Sequence, residues 1–427
     1  MTRYVGWNFS SGVSNLTSGP RIAIGALIVT GGLTGASPVI CPFPGPRGVA
    51  QTFSSVPAMA AQAAPLSRDD VDRLIDRLGA FDVDVRTDAA RAIRRAPGTV
   101  ALPALMDAAS GHADGFVRRR ALVLVSGYDD PRVPDQMEQA VSEANDALRT
   151  VAYRYLERHP EPRLGPVLLK ALTNETAELA RPALIRALAA HGRDLKVQRA
   201  LLAELARGAE GGRGDTIVAL GDQRATYALK ALVPLARTEG PFQAQAAIAL
   251  GQIGDAAVVP ALSAIPGTTP RSTGIAVTTA LCLLAQDCQS RRAALVKELS
   301  EPDPYIGFQT LVRAAAFGLA ELAVAGDVDA GRALIDAGRV ADSPLGQIVA
   351  EAVSSVAVRR PEAILPLMVD AEDRRLTLTL VAAGLARRGD DFGEEQLFVR
   401  LRSLYFAEAE GSPKRELIQT LINTLQF

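Results

Sequence analysis

The sequence has few of the residues that identify several protein classes. It contains 3 Cys and 1 Trp in 427 residues, and aromatic residues make up 5% of the chain. Three cysteines are too few for a disulfide-stabilised secreted miniprotein. So few aromatic residues offer no platform for stacking bases. The formal net charge is −1, which lacks the basic excess of a general nucleic-acid binder, so we expect no nucleic-acid partner.

Motifs of known catalytic chemistry are also missing. The chain contains no H-E-x-x-H, C-x-x-C, G-x-S-x-G or G-x-x-x-x-G-K-[ST] segment, so zinc hydrolysis, serine hydrolysis and phosphate-loop chemistry are not indicated. The three histidines, His112, His159 and His191, fall in or beside predicted turns without the spacing of metal ligands. We therefore predict no catalytic residue, no metal site and no cofactor, and we expect a protein that is not an enzyme.

Residues 1–65 differ in composition from the rest of the chain. They contain 9 Gly and 7 Pro, their only charges are Arg3, Arg21 and Arg47, and the first acidic residue is Asp69. A basic flank, a short apolar core and small residues beyond it predict an export signal. An uncleaved membrane anchor over residues 22–40 is one alternative, and a cytosolic extension is another. We expect a bacterial protein that is exported, either periplasmic or membrane-anchored and facing outside the cytoplasm.

A repeat begins after residue 65. Four arginines recur at intervals of 32, 31 and 32 residues, and an apolar residue closes each unit at a similar period. The arginines are Arg86, Arg118, Arg149 and Arg181, and the clearest closing residues are Ile93, Val125, Leu156, Leu188, Leu220 and Leu250. A fixed period of this length is typical of a solenoid. We therefore expect Leu156, Leu188 and Leu250 to be fully buried between helices.

The apolar spacing within each unit is helical. Val85, Ala89, Ala92 and Ile93 stand at i, i+4, i+7 and i+8, which places them on one helix face. Two helices and two turns fill a period near 32 residues. The fold class predicted is all-α: an α-solenoid of about ten stacked helix pairs. We expect residues 66–410 to form the solenoid and residues 411–427 to form a C-terminal capping helix.

The segment 242–262, FQAQAAIALGQIGDAAVVPAL, carries a family resemblance. It resembles the V-R…A-A-x-A-L-G-x-I-G-D…V-P-A-L pattern of HEAT repeats, in the short form found in phycobilisome-lyase-like HEAT proteins, with Gln243 in place of the usual Arg. The resemblance extends over residues 68–400. It implies a HEAT-like superhelix, but it does not imply a particular activity, because HEAT arrays serve many functions.

The repeated arginines predict a structural ladder. Each would lie near the Asp at a neighbouring helix start, and a ligand-binding role for Arg86, Arg118, Arg149 and Arg181 is the alternative. We expect the second helices to line the inner curve of the stack. Their exposed residues would then form a mostly cationic partner-binding surface, and the candidates are Arg163, Lys170, Arg199, Arg207, Lys230 and Arg237.

These observations predict a non-enzymatic protein-binding or scaffolding module of the cell envelope. Its partner would be a protein or peptide, of acidic character if the cationic surface binds it. A membrane would be contacted only through residues 22–40. One alternative is an enzyme or enzyme accessory of the HEAT-type lyase kind, which the family resemblance implies. Another is a membrane-held structural protein of the envelope.

Two local features add further expectations. Four glycines between residues 208 and 214 crowd one loop, which would shorten the first helix of the fifth repeat to about residues 215–220. Cys282 and Cys288 are six residues apart, so they could form a disulfide only if the helix ends near Gln286. Two unpaired cysteines are the simpler interpretation.

Overall fold

The computed structural model describes residues 66–266, 269–300, 308–340, 343–425 and 427. The export signal and anchor predicted in residues 1–65 lie outside these ranges. The described residues form helices and no strand, so the predicted all-α class is confirmed. The α-helices are α1 Arg68–Arg77, α2 Val83–Arg95, α3 Gly98–Gly111, α4 Gly115–Val125, α5 Arg132–Ala140, α6 Asp146–Arg158, α7 Gly165–Asn174, α8 Ala180–Ala190, α9 Leu195–Arg207, α10 Glu210–Asp222, α11 Leu229–Arg237, α12 Gln243–Ile253, α13 Val259–Ser263, α14 Arg271–Leu283, α15 Cys288–Ser300, α16 Phe308–Ala325, α17 Val328–Val340, α18 Ser343–Arg359, α19 Ala371–Arg388, α20 Asp391–Ala407 and α21 Pro413–Asn423.

Many of these helices begin at a side-chain cap. Asp82, Asp114, Asn145 and Asp194 each accept a hydrogen bond, of 2.7–2.9 Å, from the backbone N–H two residues ahead. A cap satisfies one of the backbone donors that a helix start leaves without a partner. The short polar residue before each apolar run therefore fixes where the helix begins.

The helices alternate between two positions. The first helices of the repeats stack on one another from α4 onward, and each packs against the second helix that precedes it; these first helices are α4, α6, α8, α10, α12, α14, α16 and α18. From α6 onward the first helices contact each other much more extensively than the second helices do. This repeated helix-pair stack is the architecture that the HEAT-like pattern predicts. Closer packing of the first helices places them on the inner side of the curve.

The predicted core positions are confirmed. Leu156 is 1% exposed, and Leu188 and Leu250 are fully buried. The closing residues of the first six repeats all belong to one continuous apolar cluster. A second cluster covers the repeats from α14 to α21. The register deduced from the period is therefore correct, and each closing residue is buried in a core that runs through neighbouring repeats.

The expectation of a shortened helix in the fifth repeat is wrong. Helix α10 begins at Glu210, so Gly211, Gly212 and Gly214 lie within its first turns, and Gly208 caps the end of α9. A Cβ on Gly212 would come within 2.5 Å of Oε1 of Glu204, and one on Gly214 within 3.3 Å of Oε1 of Gln245. These glycines make room for neighbouring side chains rather than forming a loop.

The C-terminal helix α21 begins close to the predicted position. Ser412 caps it, and Ile418 and Leu421 are fully buried against the second apolar cluster. The helix also lies beside the first repeat, because Arg91 donates a 2.9 Å hydrogen bond to the carbonyl of Leu425. It therefore covers the end of the core and also contacts the opposite end of the array.

Candidate functional site: an arginine-lined cavity between the ends of the array

The first and last repeats of the array are in direct contact. Three arginines on the first helices α2, α4 and α6 face acidic residues at the start of α20. Arg119 Nη1 lies 2.6 Å from Asp391 Oδ2, Arg154 Nη2 lies 2.8 Å from Asp390 Oδ2, and Arg94 Nε lies 3.0 Å from Glu395 Oε2. We call these three ion pairs the closing contact. It joins residues more than 230 positions apart in the chain.

Apolar burial reinforces the closing contact. Phe427 is 3% exposed and belongs to the same apolar cluster as the first repeats. The guanidinium of Arg120 lies 4.3 Å from the centroid of its ring, and Arg94 Nη1 donates a 2.8 Å hydrogen bond to its carbonyl. Burial lowers the pKa of Arg120 to about 10, although Asp391 opposes the shift. At neutral pH this arginine is still charged, so the contact keeps its electrostatic character.

The inner ends of several first helices also converge. Arg359, at the end of α18, pairs with Glu321 of α16 and lies 3.4 Å from Asp222 of α10. Gln252 of α12 donates to Glu321 at 3.0 Å. Burial lowers the pKa of Arg359, but the carboxylates of Glu321 and Asp222 outweigh burial and raise the pKa above its ordinary value. The first helices therefore present their polar ends to one another.

A cavity of about 730 Å³ lies beside this network, and we call it the central cavity. Three separate parts of the chain line it: the end of α6, the segment 358–362 and the face of α20. Its polar lining comprises four guanidinium groups, one carboxylate, one imidazole, one amide and one hydroxyl, from Arg158, Arg359, Arg360, Arg400, Glu362, His159, Gln396 and Ser403. The lining residues thus comprise four positive groups and one negative group, before carboxylates outside the lining, such as Glu321, are counted.

Two of the lining arginines have carboxylate partners and one has a backbone partner. Arg400 Nε lies 2.6 Å from Glu362 Oε1, and Arg359 pairs with Glu321. Arg360 Nη1 donates a 2.7 Å hydrogen bond to the carbonyl of Val324, which carries no formal charge. Of these three arginines, Arg360 therefore brings to the cavity a positive charge whose hydrogen bond is to a neutral group.

The cationic residues predicted to bind a partner lie elsewhere. Arg163, Lys170, Arg199, Arg207, Lys230 and Arg237 are all exposed and stand on α7, α9, α11 or the turn before α7. Arg163 is paired with Asp135, Glu138 and Glu161. The side chains that reach across the array in the closing contact come from first helices and α20 instead. The binding role of the six residues stays a prediction, but the inner curve that motivated it is formed by the first helices.

The repeated arginines take equivalent positions along the array. Arg149 donates to the carbonyls of Glu143 and Ala144 at 2.8 and 2.9 Å, and it pairs with Glu175 at 2.7 Å. Arg181 repeats the arrangement with the carbonyl of Glu175, at 2.8 Å, and with Glu204. Each arginine thus joins the turn before its own helix to an acid in or just after the second helix of its own repeat.

The remaining two ladder arginines make similar bonds. Arg86 donates to the carbonyls of Ala80 and Phe81, both at 2.7 Å, and Arg118 bonds the carbonyl of Ala109 and pairs with Glu143. The carboxylate partners are therefore glutamates after or near the end of the next second helix. The proximity of each arginine to the Asp at a neighbouring helix start stays a prediction, and the carboxylates that Arg118, Arg149 and Arg181 bond are those of Glu143, Glu175 and Glu204.

The sequence interpretation missed the central cavity entirely. Its arginines belong to the end of α6, the turn after α18 and the face of α20, three places that share no period. The only local signal was the density of basic residues there, such as the adjacent Arg359 and Arg360.

Among the described residues, no helix is both long and apolar enough to cross a membrane.

Comparisons with known proteins give fold neighbours at low similarity. No family model and no curated protein matches the sequence. Among solved structures, an engineered protein is 18% identical, with a TM-score of 0.27, and the alignment covers 84% of this chain and 99% of that one. The complex of CpcE and CpcF of phycocyanin lyase from Nostoc sp. PCC7120 is 16% identical, with a TM-score of 0.27 and coverage of 87% and 99%. Importin beta is 13% identical, with a TM-score of 0.34 and coverage of 84% and 59%.

Proposed function

We propose that this protein is a non-enzymatic scaffold that binds an acidic segment of a partner protein at the central cavity. The observation that carries the proposal is the cavity lining, in which four arginines and one histidine meet one glutamate. Guanidinium groups bind carboxylates through paired N–H donors. A stretch of Asp or Glu residues supplies such carboxylates in series.

The position of the cavity also suits a scaffold. Its walls come from the third repeat, the ninth repeat and α20, so a ligand held there would contact both ends of the array at once. A rigid helical array holds these walls in place, because each first helix is packed against its neighbours. Pre-positioned donors reduce the ordering cost of binding.

A direct binding measurement tests the proposal. The probe is a fluorescent glutamate-rich peptide, and the matched control peptide replaces its glutamates with glutamines. We expect the purified chain to bind only the acidic peptide, with an affinity that falls as salt is raised. Replacing both Arg360 and Arg400 with glutamine should weaken binding about tenfold or more, because each charge-assisted hydrogen bond contributes roughly 1.5–3 kcal/mol.

The chain provides a control on its other face. Arg199, Lys230 and Arg237 are exposed cations on second helices, so a triple charge reversal there changes the net charge without touching the cavity. We expect this variant to bind the acidic peptide within about twofold of the wild type in moderate salt. Salt at that level screens the long-range attraction between the peptide and distant charges of the protein. If instead the charge-reversed variant loses binding while the cavity variant keeps it, the partner site lies on the second helices. Circular dichroism checks that both variants are folded.

The location of the protein is also part of the proposal. We propose that it acts in the cell envelope, as the composition of residues 1–65 suggests, with a basic flank and no acidic residue before Asp69. Sequencing the N-terminus of the native protein tests this: a start between residues 37 and 64 supports export, and a start at Met1 in a cytosolic fraction contradicts it.

A further inference from the structure

The turn between α14 and α15 brings together two of the three cysteines of the chain. Helix α14 ends at Leu283, earlier than Gln286, and α15 begins at Cys288. The Cα atoms of Cys282 and Cys288 are 4.3 Å apart, and the two residues are joined in a disulfide. The simpler expectation of two unpaired cysteines is therefore not what the structure shows.

This turn has an uncommon backbone. Ala285 and Asp287 both take positive φ angles, of 57° and 47°, a conformation that residues with a Cβ rarely adopt. The N–H groups of Ala285 and Gln286 donate 2.9 Å hydrogen bonds to the carbonyls of Cys282 and Leu281. The surrounding bonds therefore hold the chain in a strained turn, and the result of that turn is that the two sulfur atoms face each other.

A carboxylate faces the same pair from another repeat. Oδ2 of Asp327 lies 3.7 Å from Sγ of Cys288, and the two sulfurs and a carboxylate oxygen all lie within 4.8 Å of one another. Oδ1 of Asp327 accepts a 3.0 Å hydrogen bond from the N–H of Ala330, and Arg292 donates to Oδ2 at 2.7 Å. These bonds fix the carboxylate, as hydrogen-bonding neighbours commonly fix metal ligands.

We propose that Cys282, Cys288 and Asp327 form a binding site for Zn²⁺ when the two cysteines are reduced. Thiolate and carboxylate are ligands that Zn²⁺ accepts, and three protein ligands leave one position for water. With Zn–S near 2.3 Å and Zn–O near 2.1 Å, a tetrahedral site requires a sulfur–oxygen separation of about 3.6 Å. In the disulfide form Cys288 Sγ already lies 3.7 Å from Asp327 Oδ2, and on reduction the two sulfurs have to move apart so that both can bind one ion.

Access and redox state decide when the site can fill. Cys282 is buried, whereas Cys288 and Asp327 are partly exposed, so an ion can enter from one side. A phosphine or dithiol reductant supplies two electrons, and with two protons these break the sulfur–sulfur bond and give two thiols. Binding of one Zn²⁺ then displaces those two protons and leaves two thiolates as ligands. Oxidation to the disulfide removes both ligands, so metal and disulfide exclude each other.

The test uses the purified full chain, reduced with a phosphine under nitrogen and then freed of the reductant. Titration with Zn²⁺ against a chelating dye should show one ion per chain, and titration with Co²⁺ should show the near-ultraviolet charge-transfer band of a thiolate–cobalt bond. The oxidised protein should show neither. Cys282→Ser and Cys288→Ser should each lose the band, and Asp327→Asn should keep the band but weaken Zn²⁺ binding tenfold or more.

Two controls separate this site from general effects. Asp329→Asn removes a neighbouring acid that also pairs with Arg292 but is not one of the three ligands, so it should bind Zn²⁺ as the wild type does. Cys41→Ser removes the third cysteine and should also leave binding unchanged. The proposal is overturned if the reduced wild type binds no Zn²⁺, or if a folded Cys288→Ser variant binds it equally well. Because the site is remote from the central cavity in the chain, neither result depends on the proposed function.

Discussion

Individual side chains connect one repeat of this protein to the next. Arg149 is a good example, since it bonds two carbonyls of the preceding turn and the carboxylate of Glu175. That hydrogen bond lowers the pKa of Glu175, although burial of the carboxylate opposes the shift. Arg149 therefore neutralises the buried carboxylate of Glu175, which also accepts hydrogen bonds from the hydroxyl of Tyr153 and the N–H of Ala177. These bonds are what a structural ladder would make, and the ligand-binding alternative stays a prediction to be tested.

Among single side chains, we expect the apolar closing residues to contribute most to the unfolding free energy. Leu188 is fully buried between helices, so replacing it with Ala leaves a cavity and should cost roughly 2–5 kcal/mol of unfolding free energy. Leu195 is 62% exposed and gives a matched control, for which Leu→Ala should change stability by less than about 0.5 kcal/mol. Urea unfolding of both variants measures the difference. Equal stabilities would show that the repeat register is incorrect.

Helix packing depends on positions where no side chain fits. Gly251 lies where α12 meets α14, and a Cβ there would come within 2.6 Å of the Cα of Ala280. Contact this close involves backbone, which cannot rotate away as a flexible side chain can. The small residues of the first helices therefore set how closely neighbouring repeats approach, and with it the curvature of the array.

A pair of glycine substitutions tests this view of the helices. Gly251→Ala should destabilise the protein by roughly 1–3 kcal/mol, because the added methyl group must push α14 away. Gly274→Ala, within α14, should stabilise it by up to about 1 kcal/mol, because nothing lies within 4 Å of the new Cβ and Ala favours the helix. Thermal unfolding of both variants, beside the wild type, measures the two changes in stability. Two changes of the same sign would contradict the close approach of α12 and α14.

The closing contact makes the stability of the first repeats depend on the last ones. Asp390 caps α20 and pairs with Arg154, and their side chains are 11% and 15% exposed. Burial favours the protonated form of Asp390, but Arg154 outweighs burial and holds the pKa of Asp390 well below its ordinary range. The carboxylate therefore favours the folded state most strongly when it is ionised.

The pH dependence of stability follows from this shift. An unfolded Asp has a pKa near 3.9, so the contribution of Asp390 is complete well above that pH. It is lost as the pH falls through 3.9 towards the lower folded value. Asp390→Asn should cost roughly 3 kcal/mol at pH 7, as expected for removing the carboxylate from a buried ion pair, and the deficit should shrink at pH 3. Unfolding curves at both pH values measure this change.

An exposed ion pair serves as the control for that variant. Asp130 bonds Arg132 at the surface, which lowers the pKa of Asp130 to about 2. Asp130→Asn should leave stability near that of the wild type at pH 7, because solvent screens such pairs. If Asp390→Asn behaves in the same way, the contact between the two ends of the array does not stabilise the fold.

The sequence by itself determined the repeated architecture. The 32-residue period, the helical spacing of apolar residues and the caps are local properties, and each helix pair must bury its apolar face against the next pair. The buried positions Leu156, Leu188 and Leu250 follow directly from that pattern. Local patterns also recovered the ladder arginines, although not their glutamate partners.

The tertiary structure alone decided where the closing contact and the central cavity lie. Whether the two ends of the array meet depends on the small rotation between successive repeats, summed over the whole stack, and no single repeat encodes that sum. Arg154 and Asp390 are 236 residues apart, and neither belongs to a motif. The central cavity has the same origin, since its arginines come from three distant segments. The sequence predicts their charge, but only the accumulated curvature brings them together.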